Sequence, residues 1–574
     1  MQLCRNGKMK HKALAITLGL SLIPVAAAWS LPAAAQPEFS RPQASTNYGL
    51  SRIAGYDTLS GVGGAEIAAF DAKTKRLYLT NGVKNSIEIV DISSVKRPKL
   101  ISSISLVAQG VTSIQSVAAY NGVVVAATTV GEKTSPGRVF MMDADGKLLK
   151  SAPRGVVVGA LPDSIHFSPN GRLVVTANEG EPKDYCKTGG VLTETSDPKG
   201  SISIIDVTAS KPRATTLDFS DFNGQASDIV ASGGRVYGPG ATVAQDLEPE
   251  YIAISSDSSL AWVTLQENNA VATVDLKNKK ILGVSGLGYK NHNTATTGMD
   301  PSDRDSLTSV RAVPAYGMYQ PDAVATARIA GKNYLFTANE GDAREWPCLM
   351  GGTDPTEDEA EDVRYGSNGI DPALQSTLSL GRLGVTPFVP ANPLGTVVTD
   401  TTSVSVAYSL GARSFSVWRA PQSKGVKAAK LVYDSGDLFE RTILEKNAAN
   451  FNADWSTGTG RPNAKDTRSD NKGPEPEGIA YGQAFGKHWV VVGLEREGSL
   501  MLFDVSKPSA PRFVQYVSST NWTGGMFDLG NAAGDVSPEG IVFVNEKDSP
   551  NGKPLVIVSY ELTGTVSIFE LRGQ

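Results

Sequence analysis

Short apolar runs recur along this chain, alternating with polar residues or closed by Gly, Pro and Asn turns, which is the pattern of half-buried β-strands rather than of amphipathic helices. The clearest unit opens at Leu161-Pro162-Asp163, alternates through Ser164–Ser168, turns at Pro169-Asn170-Gly171 and returns along Leu173–Ala177 to Asn178-Glu179-Gly180. After an insertion, Ser201–Val207 supplies a third strand, so the unit is an antiparallel meander.

The same grammar returns at Pro249-Glu250-Tyr251 with Gln266-Glu267-Asn268-Asn269, and at Pro321-Asp322-Ala323 with Asn339-Glu340-Gly341. It returns again at Pro476-Glu477-Gly478 with Leu494-Glu495-Arg496, and at Pro538-Glu539-Gly540 with Tyr560-Glu561. Two weaker copies come first: Ala65-Glu66-Ile67 with Thr80-Asn81-Gly82, and Ile114–Tyr120 with Val123–Thr128. Repeated sheets that each need a neighbour for both faces pack radially, so the expected fold is all-β, a seven-bladed β-propeller. The last copy stops after its third strand near Leu571, so Tyr48–Tyr56 is expected to supply the outer strand and close the ring by pairing the N- and C-terminal strands.

Strand direction then places the acids. The residue opening a first strand lies beside the residue ending the antiparallel second. This pairs Asp163 with Glu179, Glu250 with Glu267, Asp322 with Glu340, Glu477 with Glu495 and Glu539 with Glu561 around one mouth of the central channel. Crowded carboxylates raise one another's pKa unless cations neutralise them, and oxygen-rich sites suit a divalent metal, Ca2+ above all. The plainer alternative is that each acid accepts backbone N–H bonds at its turn. Arg344, Arg468 and Arg496 sit among these motifs, either as clamps for a phosphate or carboxylate or as partners of the adjacent acids.

The insertions 182–200, 283–319, 343–402 and 435–473 emerge on the same face and are expected to form a lid. Two of them carry Cys186 and Cys348, which form a disulfide in that lid or remain two separate thiols. The run Asp300–Asp305 is a secondary metal candidate; it lacks the EF-hand spacing and is more simply a turn of solvated acids.

At the N-terminus, Arg5, Lys8, Lys10 and Lys12 precede an apolar run, Ala13–Leu31, that ends in Ala33-Ala34-Ala35. This is the form of a signal peptide over residues 1–35, followed by a short linker, 36–47, and a single propeller domain, 48–574. An uncleaved anchor is the alternative. Export to the periplasm or medium follows, with no membrane span in the mature chain. With 40% hydrophobic and 20% charged residues, 58 Gly and 32 Pro, the composition is that of a soluble, turn-rich globular protein. A net charge of -5 offers no basic footprint for nucleic acid. There is no G-x-S-x-G elbow, C-x-x-C or H-E-x-x-H, and three scattered histidines beyond residue 35 do not make a zinc site.

The stretches Pro162-Asp163 with Asn178-Glu179-Gly180-Glu181-Pro182, Gln320-Pro321-Asp322-Ala323 with Ala338-Asn339-Glu340-Gly341-Asp342, and Gly473-Pro474-Glu475-Pro476-Glu477-Gly478 with Gly493-Leu494-Glu495-Arg496 resemble those of the choice-of-anchor I family. The resemblance covers about Tyr48 to Leu571. It implies an extracellular propeller, and it implies two different activities, because members include atypical alkaline phosphatases, phytase-like propellers and a mesenchyme-specific cell surface glycoprotein. On the phosphatase reading, cations on the ring bind a small phosphorylated substrate and activate water, with Glu340 and Glu495 at the centre. Arg344, Arg468 or Arg496 then meets the developing charge. On the other reading the same face holds an extracellular ligand without chemistry. A third reading is another propeller hydrolase, such as a lactonase.

Overall fold

In a computed structural model of the chain, residues 47–573 are described apart from 184–194, 239, 345–375, 377, 387–406, 423–424 and 426. The expected meanders form, and each gains a fourth strand. Blade 1 is Ala68–Asp71, Arg76–Asn81, Ser86–Asp91 and Lys99–Ser105; blade 2 is Val111–Tyr120, Val123–Val130, Pro136–Asp143 and Val156–Ala160. Blade 3 is Pro162–Phe167, Leu173–Asn178, Ser201–Asp206 and Ala214–Asp218; blade 4 is Ile252–Ile254, Leu260–Leu265, Ala270–Asp275 and Lys280–Gly286. Blade 5 is Val324–Ile329, Lys332–Asn339, Ser414–Arg419 and Lys430–Asp434; blade 6 is Pro476–Ala484, Lys487–Leu494, Ser499–Asp504 and Arg512–Ser518. Blade 7 takes Pro538–Val544, Leu555–Tyr560 and Thr565–Gly573, and its outer strand is Tyr48–Asp57.

The first strand of each blade touches the first strand of the next, and that of blade 7 touches that of blade 1, so the seven sheets close into a ring. The closing strand runs antiparallel to Thr565–Gly573, from Tyr48 opposite Gly573 to Asp57 opposite Thr565, with a bulge between Arg52 and Ala54. Arg52 pins it by donating to Ser567 Oγ at 2.7 Å and lying 3.2 Å from Asp535.

The second and third strands of each blade are apolar on both sides because neighbouring blades cover both faces. Leu260–Leu265 and Ser499–Asp504 are buried throughout. Between blades 3 and 4, Val175, Ile202 and Ile204 pack with Ile252, Val263 and Ala272. Each such aliphatic side chain contributes about 1.5–3 kcal/mol.

Three features were not expected from the strand pattern. Between blades 3 and 4 the chain forms short helices, Ala226–Ala231 and Val243–Asp246, the second started by a Thr242–Gln245 capping box. Tyr289–Asn291, Ala315–Met318 and Ala407–Ser409 make a separate three-stranded sheet, and the 435–473 insertion holds a helix, Leu438–Lys446, anchored by buried Phe439 and Ile443. Among the described residues no helix is long and apolar enough to cross a membrane.

Candidate functional site

Four of the seven inner strands enter the channel through the same local device. Leu161, Gln320, Glu475 and Ser537 have left-handed backbone, with φ of 46°, 38°, 48° and 66°. Each is followed by a proline and then by Asp163, Asp322, Glu477 or Glu539. Non-glycine residues in this region cost about 1–3 kcal/mol each, and such strain gathers where a site over-determines the backbone. In three of the four blades the strand then bulges. Pro162 faces Asn178 and Ser164 faces Ala177, leaving Asp163 unpaired in the ladder, and equivalent register shifts fall at Glu477 and Glu539. A bulge re-aims the extra side chain, here toward the axis.

The acids that end the second strands are held differently. Asn178 and Asn339, one residue before Glu179 and Glu340, are fully buried. Asn178 Nδ2 donates to Ser203 Oγ at 3.0 Å, and Asn339 Nδ2 to Ser416 Oγ at 2.8 Å. The glycines that follow, Gly180 and Gly341, adopt φ of 72° and 91° and turn the chain away at once. Backbone bonds then tie the two acids of a pair together: Glu179 N–H donates to Leu161 O at 2.9 Å, Glu495 to Glu475 O at 2.8 Å and Glu561 to Ser537 O at 2.9 Å.

These devices converge on one cavity of about 460 Å³. Its walls carry Asp163, Glu179, Glu250, Glu267, Asp322, Glu340, Asp342, Glu477, Glu495 and Glu539, against Lys472 and Arg496 alone among the basic groups of the described residues. Burial raises most of these carboxyls, and their neighbours add to it. Asp163 is pushed up to about 7 by burial and the Glu267 charge. Glu495 is pushed up to about 8 by burial, which the Arg496 guanidinium only partly offsets. Glu179, Glu250, Asp322, Glu477 and Glu539 are driven well above the usual carboxylate range by burial and by one another. Glu475 goes the other way: its burial is outweighed by Arg468, Arg496 and Lys472. The Oε2 atoms of Glu250, Glu267, Glu477 and Glu539 are buried and have no hydrogen-bond partner among the described residues.

Nine of the ten expected ring acids therefore line one cavity. Glu561 does not line it, and it acts instead with Glu66, which is pushed up to about 7 by burial and by Glu561 and Asp163. Blade 2 presents Gln115 and Ser116 where the other blades present acids. The arginines need correction. Arg344 is sealed from the cavity, donating to Glu248 Oε2 at 2.7 Å and Asp246 Oδ1 at 2.8 Å and stacking on Tyr237. Arg468 is spent on Glu475, with its Nε 2.9 Å from Oε1. Arg496 does line the cavity, although it binds Glu475 Oε2 at 2.8 Å and Glu495 Oε1 at 3.1 Å. Of the three guanidiniums only Arg496 can meet a ligand in the cavity.

Besides Asp342, which directly follows the Asn339-Glu340-Gly341 motif, the missed residues are Asp246, Glu248, Lys472 and Glu475. They lie in the segments between blades, where no strand period announces them, although Pro474-Glu475-Pro476 carries the same proline signal as its neighbours. Asp300, Asp303 and Asp305 are not a solvated turn: Asp300 is fully buried, Asp303 pairs with Arg382 at 2.9 Å and Asp305 with Arg311 at 2.9 Å. They lie apart from the cavity lining. Cys186 and Cys348, most of the 343–402 insertion and residues 1–46 lie outside the described residues.

A closed ring of four-stranded blades with a carboxylate-lined mouth defines the class of this protein as a β-propeller. Within that class, residues 66–508 match the choice-of-anchor I domain, and the chain belongs to that family. Gigasin-3a of Magallana gigas is 31% identical over 171 residues, 29% of this chain and 58% of that protein. A mesenchyme-specific cell surface glycoprotein of Strongylocentrotus purpuratus is 29% identical over 293 residues, 48% of this chain and 37% of that protein. The chain thus spans only part of the length of the curated relatives it matches. Among solved structures, Kuenenia stuttgartiensis hydrazine synthase aligns over 89% of this chain and 96% of its own at 11% identity and a TM-score of 0.43. The Myceliophteria thermophila Cps50 (Swd1) β-propeller domain aligns over 91% and 99% at 8% identity and a TM-score of 0.42.

Proposed function

We propose that this protein is an exported propeller that binds divalent cations, Ca2+ first, in its carboxylate mouth and through them holds a small anionic ligand, a phosphomonoester being the leading candidate for turnover. The observation that carries the reading is the set of buried carboxylate oxygens on Glu250, Glu267, Glu477 and Glu539 that no donor among the described residues satisfies. A buried acceptor left unpaired is costly, and a cation satisfies several at once. The residues fit a hard metal, since all offer oxygen and none offers sulfur or imidazole. With a metal bound, Glu340 and Glu495 would orient a water, and Lys472 and Arg496 would meet negative charge on the ligand.

A purely binding role is the second reading. It is supported by the similarity to a cell surface glycoprotein and by the ion pairing that removes Arg344 and Arg468 from ligand contact. One experiment separates the two: calcium titration of chelator-stripped protein, followed by hydrolysis of a chromogenic phosphate monoester with and without Ca2+. Calcium-dependent turnover abolished by Glu495→Gln supports the enzyme. Calcium binding without turnover from pH 6 to 10 leaves the binding role, and no calcium binding at all defeats the proposal.

A further inference from the structure

The carboxylates of the cavity are not neutralised evenly. On the wall built by blades 5 and 6, Glu340, Glu475 and Glu495 meet three basic side chains. Lys472, 4% exposed, has its ammonium 2.8 Å from Glu340, 3.4 Å from Glu475 and 3.5 Å from Asp342. Arg468 takes Glu475 Oε1, and Arg496 shares Oε2 with Lys472. An ammonium with three donors spread over three carboxylates occupies the place a metal would need. Burial opposes its charge, but those carboxylates hold the Lys472 ammonium well above its ordinary range.

Among the described residues the wall built by blades 3 and 4 has no lysine in that position, and its one basic contact is Arg344 on Glu248. Ligand oxygens of Glu179, Glu248 and Glu267 lie within 4.8 Å of one another, a span compatible with opposite ligands of one ion at Ca2+–oxygen distances of about 2.4 Å. Glu250 and Glu267 are each only 6% exposed and line the cavity, and each keeps a buried Oε2 without a hydrogen-bond partner among the described residues. Arg344 takes one oxygen of Glu248, while Arg235 donates to the Glu267 carbonyl, and the Glu267 carboxyl faces that of Glu250.

We propose that the mouth is two-sided: a single Ca2+ is held by Glu179, Glu248 and Glu267 with Glu250 beside them, while Lys472 stands in for a second metal on the opposite wall. This rests on the cation-binding reading and deepens it. A ligand spanning the mouth would then meet a metal on one side and an ammonium and a guanidinium on the other. Such an arrangement selects a compact anion with oxygens on more than one side, such as a phosphate group.

The test is isothermal titration of CaCl2 into the chelator-stripped protein at pH 8, for the unaltered chain, Glu267→Gln and Glu495→Gln, with thermal unfolding to verify that each is folded. The expected result is one ion per chain, an affinity loss of at least about 10-fold in Glu267→Gln, and a change of less than about 3-fold in Glu495→Gln. If Glu267→Gln does not fold, Glu179→Gln carries the same expectation. A stoichiometry above one, or a loss confined to Glu495→Gln, overturns the two-sided arrangement while sparing the cation reading. An unaltered chain that binds no calcium defeats the cation reading itself.

Discussion

Arg344 offers a direct discrimination between a ligand clamp and a structural ion pair. Its side chain is 1% exposed and donates to Glu248 Oε2, Asp246 Oδ1 and the Asp246 carbonyl. Arg344→Met keeps much of the volume and stacking but strands two buried carboxylates. Removing one partner of a buried pair costs about 3–5 kcal/mol. Unfolding entropy is about 2.1 cal/mol/K per residue, which for a propeller of roughly 530 residues amounts to about 1.1 kcal/mol per degree, so Tm should fall by about 3–5 °C. Calorimetry at pH 7 in chelator reads this directly. Adding Glu248→Gln should recover part of the loss, because one stranded charge is then gone. A variant melting within about 1 °C of the unaltered protein but with weakened ligand binding would refute the burial argument and return Arg344 to the ligand.

The remaining expectations concern pH, backbone and ring closure. Asp163 and Glu66 titrate at about 7 and Glu495 at about 8 when folded, against about 4 when unfolded, so the folded chain holds more protons between those limits. The metal-free protein should therefore lose stability as pH rises from about 4.5 to 8, and calcium should restore more of its Tm at pH 8 than at pH 5. A metal-free Tm that climbs steadily over that range contradicts the assignment. Gly341→Ala should cost the fold outright or lower Tm sharply, because φ is +91° and the new Cβ would sit 2.1 Å from the Gly411 nitrogen; a melting curve like that of the unaltered chain would show that the backbone adjusts freely. A chain beginning at residue 58 should expose the edge of Thr565–Gly573 and form oligomers in light scattering. A stable monomer of that form would mean the closing strand is dispensable.

The alternation of apolar and polar residues determined the blades, because each strand's burial is written in its own side chains. It also placed the closing strand at Tyr48–Tyr56, one residue short of its observed end at Asp57, and paired the ring acids, since an antiparallel meander leaves no freedom about which ends meet. What the sequence could not supply is the partner each charge finds. Arg344 follows Glu340 by four residues yet binds Asp246 and Glu248 from the segment before blade 4. Lys472 and Glu475 reach the axis from the insertion that precedes blade 6, far along the chain from Glu340. Such pairings depend on where inter-blade segments cross the mouth, and no local period encodes that. The left-handed residues before Pro162, Pro321, Pro476 and Pro538 are equally invisible in advance, because local preference disfavours them and only the closed ring holds them. Which carboxylates remain without a donor among the described residues was decided by the tertiary structure alone.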